Sequence, residues 1–379
     1  MIHPIIMAGG RGERFWPYSN GRHPKQLLPL VTRKTMLEDT LANIRAFQKA
    51  GLVRLIIGKN LEKPVKALVG KKPGVSVVAE PEGRNTAAAI ALAAKLIARK
   101  DPRGVMLVLT ADHAISPPEK FAQAMRAAVS LAAEGDCLVT FGIKPNRAEV
   151  GYGYIEADAP GKKVEGLDSY PVKRFHEKPS PEAARAYVDS GRFFWNSGMF
   201  AWRVDYLWEQ FRKLQPKIWD AFEKAGDLDP GSAGFAGKLK RVYAGLPEIS
   251  IDNGIMEGAD SIRVVVPEFG WDDIGSWSAL DRLHSQDAGG NRLIVGNPLA
   301  TGSRSAMGGG AQTPAAALAL EAQGNTLFTD SGLVVAFGVS DLLIVQHGGV
   351  TLVLPKDKAP RLKEVVKLVQ KQKRLAGYL

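Results

Sequence analysis

The first 111 residues alternate short apolar runs with helical patterns, and this alternation limits the possible folds more than any other feature of the chain. IIMAG (5–9), RLIIG (54–58), VSVVAE (75–80) and VMLVLTA (105–111) have strand length, whereas Thr35–Phe47 and Thr86–Ala98 carry helical spacing. Parallel strands need a crossover between them, usually a helix, and are buried on both faces, so they read as continuous apolar runs. The pattern predicts an α/β architecture on a parallel sheet, with ligands at the carboxyl ends of the strands.

At 379 residues the chain exceeds one small core, so a large domain and a smaller one are expected. The texture changes near residue 290. The stretch 297–317, NPLATGSRSAMGGGAQTPAAA, is small, glycine-rich and aperiodic, as a linker or loop is. Short strand runs and turns follow in 325–355. The expected division is therefore 1–290 for the large domain and 291–379 for a small, mainly β domain. That second domain ends in a basic amphipathic helix, with Leu362, Val365, Val366 and Val369 on its packed face.

Net charge is +11, and eight cations against two anions in 356–374 account for +6 of it. A solvated helix face explains that excess, and no helix-turn-helix, RRM or zinc-finger spacing supports a nucleic-acid partner. No apolar run reaches membrane-spanning length, and MIHPIIMAGG is too short and uncharged for a signal peptide. The lone Cys137 sits in an apolar run without a disulfide partner, which points to a reducing compartment. The expectation is a cytoplasmic protein without membrane or nucleic-acid partners.

Immediately after the first apolar run comes a segment rich in glycine, arginine and lysine. Bare backbone between a strand and the next element lets consecutive N–H groups converge on an anion, and nearby cations add charge. The segment lacks the Gly-Lys-Ser/Thr ending of a P-loop, and Pro17 and Pro24 forbid the continuous helix of a dinucleotide site. A compact anion fits it better than a polymer.

GGRGERFWPYS (9–19) and PKQLLPL (24–30) together resemble the signature of the sugar-nucleotide pyrophosphorylases. Further matches follow in order: EPEGRNTAAAI (80–90), LTADHAI (109–115), FGIKPNRAEVGYGYIE (141–156), FHEKPS (175–180), WNSGMF (195–200) and FGWDDIGSW (269–277). The Trp-Pro pair and Pro-Lys-Gln are similar in particular to the branch that joins GMP to mannose 1-phosphate. The resemblance implies a Rossmann-like (GT-A-like) nucleotidyltransferase fold, with a mixed, mostly parallel sheet flanked by helices and a small C-terminal β domain.

It also implies an Mg²⁺-assisted, in-line attack of a sugar-phosphate oxygen on the α-phosphorus of GTP, with pyrophosphate leaving. Arg11 and Lys25 would hold the triphosphate and the transition-state charge. Asp112 and Asp273 would be the catalytic carboxylates and metal ligands, with Asp272 ranked behind them. Ala8, Gly9, Gly10, Gly12, Glu80, Asn85 and Thr86 fall where the family binds the nucleotide, although Asn85-Thr86 reads equally as a helix N-cap. Gly151, Glu177, Lys178 and Asn196 fall where it binds the sugar phosphate.

Two departures are visible: Val150 stands where the family usually has Thr, and Asn253 follows Asp252 where it has an aromatic. The partners implied are GTP and mannose 1-phosphate, in a homodimer. The chain ends where a sugar-phosphate isomerase fusion would begin, so a single-function form is expected. Two alternatives remain open: the same chemistry with another nucleotide or sugar 1-phosphate, and a catalytically silent regulatory subunit.

Overall fold

The computed structural model describes residues 1–10, 12–21, 23–47, 51–70, 72–296 and 314–379. They divide into two compact units, each assembled from separate chain segments. The first comprises Met1–Gly9, Leu41–Thr110 and Ile115–Trp271; the second comprises Gly10–Thr40, Ala111–Ala114 and Asp272–Leu379.

Ten strands form the sheet of the first unit: β1 (Ile2–Ala8), β2 (Val53–Gly58), β3 (Val75–Glu80), β4 (Val105–Thr110), β5 (Leu138–Ile143), β6 (Tyr154–Ala157), β7 (Lys162–Val164), β8 (Leu167–His176), β9 (Phe193–Arg203) and β10 (Ile262–Val266). Their order is β3-β2-β1-β4-β9-β5-β10-β8-β6, with β7 on β8 and a further pairing of β6 with β9. Only β8 and β9 run against the rest, so the sheet is mixed but mostly parallel, as expected.

The four early apolar runs are β1 to β4, and the helical patterns between them form Met36–Phe47 and Asn85–Ala98. Thr35 starts the first helix with a reciprocal capping box: its hydroxyl accepts from Glu38 N, while Glu38 accepts from Thr35 N. The second helix buries Ala87 to Ala94 without interruption. Its alanines let the backbone approach a core that also contains Ile5, Ile56, Val78, Met106 and Val108.

In β9 the register shifts between Asn196 and Phe200, and Gly198 takes φ +66. A bulge of this kind re-aims side chains, and it falls on a candidate site residue.

In the second unit, β11 (Arg292–Val295), β13 (Thr326–Thr329), β15 (Leu342–His347) and β16 (Val350–Pro355) make one sheet, while β12 (Ala316–Leu320) and β14 (Leu333–Phe337) make another. All pairings except β15 with β16 are parallel. Ala316 pairs with Leu333 and Leu327 with Ile344, a spacing of 17 residues, and Leu293 pairs with Leu327 at twice that. This is the geometry of a short solenoid that stacks one coil on the next.

An aromatic core holds the second unit together, with Trp277 in ring contact with Phe15, Tyr18 and Phe328, and Tyr18 with Phe328. Leu362 and Val366 of the terminal helix Leu362–Lys371 are buried in it. The expected packed face is narrower than the sequence spacing implies, because Val365 is exposed. Cys137 is buried, as expected.

Candidate active site

Lys25 is a buried lysine, 7% exposed, and it joins residues from three distant chain segments. Its Nζ donates to Asp112 Oδ2 at 3.1 Å and to the main-chain carbonyl of Asp273 at 2.6 Å. A buried ammonium needs such partners, since leaving it unpaired in low dielectric is costly. The turn before it is shaped to admit the lysine. Gly12 has φ +62, and a β-carbon there would stand 2.7 Å from Lys25 N, so glycine is required on both counts. Gln26 reaches back to the carbonyl of Gly10 at 3.4 Å. Lys25, Asp112 and Asp273 are thus brought together; Arg11 lies outside the described residues, as does 297–313 of the linker stretch.

Asp112 lies two residues beyond β4, with His113 Nε2 3.9 Å from its Oδ1. Burial holds the His113 imidazole below its ordinary pKa, opposed by the nearby Asp112 charge. Asp273 lies in a tight turn, with its Oδ1 accepting from Gly275 N at 3.1 Å. The adjacent Asp272 is 6% exposed and makes a fork-to-fork pair with Arg282, Oδ2 to Nε at 2.6 Å and Oδ1 to Nη2 at 2.9 Å. Lys25 thus holds the Asp112 carboxylate and the backbone of Asp273, and two such carboxylates suit a hard cation whose remaining positions are filled by phosphate oxygens and water. Among the described residues no group of three or more His, Cys, Asp or Glu could hold a metal without such help.

The candidate sugar-side residues lie in the first unit. Asn196 N donates to Gly153 O at 2.8 Å, and Asn196 Nδ2 donates to Asp252 Oδ1 at 2.7 Å. The Glu177 carboxylate stands where a Gly153 side chain would be, 2.6 Å from an ideal β-carbon. Burial raises the Asp252 pKa, against the opposing pull of the Asn196 hydrogen bond. Glu177 and Lys178 are exposed, 53% and 70%, with Lys178 in the left-handed region at φ +43. Gly151 N is turned onto Glu149 Oε1.

Among the nucleotide-side candidates, Ala8 is buried at the end of β1, and Gly9 and Gly10 are exposed. Glu80 ends β3 and is buried, accepting from Tyr243 Oη at 3.0 Å. Burial pushes its carboxyl up to about 7, with the tyrosine hydroxyl pulling the other way. Asn85 is exposed with φ +62, and the residue capping the helix is Arg84, without a side-chain cap. The N-cap alternative for Asn85-Thr86 therefore does not apply. Instead, Thr86 Oγ1 accepts from Ile251 N and Ala87 N donates to Ile249 O, tying the helix start to the segment that carries Asp252.

Sequence reasoning did not single out Arg282, Tyr243 or Arg147. The Arg147 guanidinium lies 4.7 Å from the Trp195 ring centre and 5.8 Å from that of Tyr152. Its place inside the FGIKPNRAEVGYGYIE motif was the available signal. Trp16, Trp195 and Trp202 are buried, while Trp271 is partly exposed and in ring contact with Tyr152 and Trp195.

Fold and sequence together define a nucleotidyltransferase: residues 3–289 match the family model described as Nucleotidyl transferase. Residues 316–369 match the model described as MannoseP isomerase/GMP-like beta-helix domain, in accord with the solenoid. Mannose-1-phosphate guanylyltransferase of Escherichia coli (strain K12) is 34% identical over 378 residues, covering 97% of this chain and 73% of that protein. Xanthan biosynthesis protein XanB of Xanthomonas campestris pv. campestris (strain B100) is 36% identical over 380 residues, with the same coverage of 97% and 73%. The crystal structure of mannose-1-phosphate geranyltransferase from Thermus thermophilus superposes with a TM-score of 0.81 at 35% identity, covering 97% of this chain and 99% of that one. The chain belongs to the mannose-1-phosphate guanylyltransferase family. No helix among the described residues is long and apolar enough to cross a membrane.

Proposed function

We propose that this protein transfers GMP from GTP to α-D-mannose 1-phosphate, giving GDP-mannose and pyrophosphate. The observation that carries the reading is the joining of Lys25, Asp112 and Asp273, drawn from three of the family's motifs, around one buried ammonium. Arg11 and Lys25 neutralise charge on the transferring phosphates, and Asp112 and Asp273 are the residues that would hold Mg²⁺. When bound, that ion screens the two polyanions from each other and stabilises charge on the phosphate oxygens. The reaction needs no covalent enzyme intermediate, so the chain's work is binding, orientation and charge stabilisation.

The backbone of the turn after Ala8, at Gly9, Gly10 and Gly12, receives the triphosphate. Glu80, Asn85 and Thr86 lie toward the base, where adjacent guanine N–H donors require acceptors. Lys178 takes the sugar phosphate, while Glu177, Asn196 and the Gly151 backbone take the sugar hydroxyls. Residues 1–290 act as the catalytic domain and 291–379 as the C-terminal β domain, a division supported by the two family-model matches.

The protein works in the cytoplasm, which the single cysteine supports. It works as a homodimer; the exposed, in-register Leu318, Leu320, Leu333, Val335 and Phe337 on β12 and β14 support self-association. The test is a substrate matrix: four nucleoside triphosphates against mannose, glucose and N-acetylglucosamine 1-phosphates, with pyrophosphate release as readout. Release is expected with GTP and mannose 1-phosphate together, and with neither alone. Release with another pair at higher kcat/KM would reassign the substrates, and none with any pair would favour a regulatory subunit.

A further inference from the structure

The turn that carries Asp273 is backbone-strained, and its restraints lie in side chains outside the lysine cluster. Ile274 has φ +44, a conformation that a β-branched residue avoids because its side chain crowds the backbone there. Two features hold it in place. Its side chain is fully buried in the aromatic core with Phe15, Trp277 and Phe328, and its N–H donates to Asp272 Oδ1 at 2.9 Å. Asp272 is held in turn by the Arg282 fork, so both of its carboxylate oxygens are already engaged by guanidinium and amide donors. Beyond the strained residue, Arg14 Nη1 donates to Gly275 O at 3.2 Å. A β-carbon at Gly275 would stand 2.9 Å from Asp273 Oδ2, so a side chain there would push the Asp273 carboxylate aside. The product of these restraints is one peptide orientation, in which the Asp273 carbonyl meets Lys25 Nζ and its carboxylate lies over Gly275.

We infer that Asp272 and Arg282 are a positioning pair for the reaction. Asp272 binds neither metal nor substrate; it fixes the Ile274 backbone, and through it the direction of the Asp273 carbonyl and carboxylate. Arg282 keeps the Asp272 carboxylate turned toward the Ile274 amide, and its planar fork suits the task better than a point charge does. This inference rests on the roles proposed above for Lys25 and Asp273.

The test is steady-state pyrophosphate release, together with thermal melting, for Asp272→Asn, Arg282→Gln, Arg282→Lys and the double variant Asp272→Asn/Arg282→Gln, with Asp273→Asn alongside. A second readout is Mn²⁺ binding in the presence of GTP, followed by electron paramagnetic resonance. Asp272→Asn and Arg282→Gln should each lower kcat about 10- to 100-fold, with both KM values changing less than about threefold. The double variant should be no worse than the poorer single one, and Arg282→Lys should recover part of the loss. Mn²⁺ should bind the Asp272 and Arg282 variants with weakened affinity, whereas Asp273→Asn should lose a ligand outright.

Wild-type kcat in Asp272→Asn or Arg282→Gln, beside an inactive Asp273→Asn, would overturn the pair as a positioning device. So would strictly additive losses, which would mean that Asp272 acts by itself. A lowered melting temperature with kcat unchanged would also overturn it, assigning the pair to stability alone. If Asp273→Asn itself kept full activity, the failure would belong to the role proposed for Asp273 instead. Arg282 is partly exposed, so its variants keep the test decisive if Asp272→Asn does not fold.

Discussion

The Lys25 cluster and the Glu177–Lys178 loop both carry charge suited to phosphate chemistry, but they are built in opposite ways. Lys25 is buried and already satisfied by Asp112 and Asp273, whereas Lys178 is 70% exposed and its nearest carboxylate, Glu177, is 3.9 Å away. A group fixed by its surroundings loses little entropy when the reaction needs it, which suits charge that develops only in the transition state. A mobile, solvated lysine suits capture of an arriving anion. The difference predicts that damage to the first region appears in kcat and damage to the second in KM.

The largest effect is expected at the buried cluster. Asp273→Asn should cut turnover by about three orders of magnitude or more while the melting temperature stays within a few degrees, as steady-state kinetics and calorimetry would measure. Near-normal turnover at saturating Mg²⁺ would remove Asp273 from the chemistry and break the contrast.

In the exposed loop, Lys178→Ala is expected to raise KM for mannose 1-phosphate about 10- to 100-fold, with that for GTP changing less than about threefold. An equal rise for both substrates would place Lys178 on the triphosphate or in structure. Arg11→Ala sharpens the comparison from the other side. It should lower kcat about 10²- to 10³-fold while GTP affinity by calorimetry falls less than about tenfold, and abolished GTP binding would return Arg11 to the ground state.

A separate effect, on stability, concerns the buried Glu80. Its carboxyl is pushed up from 4.5 to about 7, so between those values the folded chain keeps a proton that the unfolded chain has released. The associated stability is fully present below the unfolded pKa and is lost as pH rises through the folded one, by about 3 kcal/mol in all. Glu80→Gln should therefore melt higher relative to wild type at pH 8 than at pH 5; an unchanged difference between the two pH values would contradict the assignment.

How much of this is legible in the sequence depends on the distance over which each feature is determined. β1, β2 and β4 are readable because burial of their central residues on both faces leaves nearly continuous apolar runs, and Thr35 with Glu38 three residues on announces a helix start. The reversed directions of β8 and β9 have no such signal, because an apolar strand reads the same in either direction. The solenoid did leave a trace, since strand partners recur at 17 residues in 316–345, but runs of four to six residues scarcely show it.

Lys25, Asp112 and Asp273 are visible only through the motifs they belong to. Asp272 and Arg282, ten residues apart in a stretch without regular periodicity, are visible only in the fold. The N-cap reading of Asn85-Thr86 follows a sound local rule, but the helix is preceded by Arg84 and the Thr86 hydroxyl serves Ile251 instead.

The most direct test of the central claim follows oxygen rather than rate. Mannose 1-phosphate carrying ¹⁸O in its phosphate is incubated with GTP and the enzyme, and the products are resolved by mass spectrometry. Attack by the sugar phosphate on the α-phosphorus of GTP leaves all of the label in GDP-mannose and none in pyrophosphate. Label appearing in pyrophosphate, or no labelled GDP-mannose at all, would contradict the account.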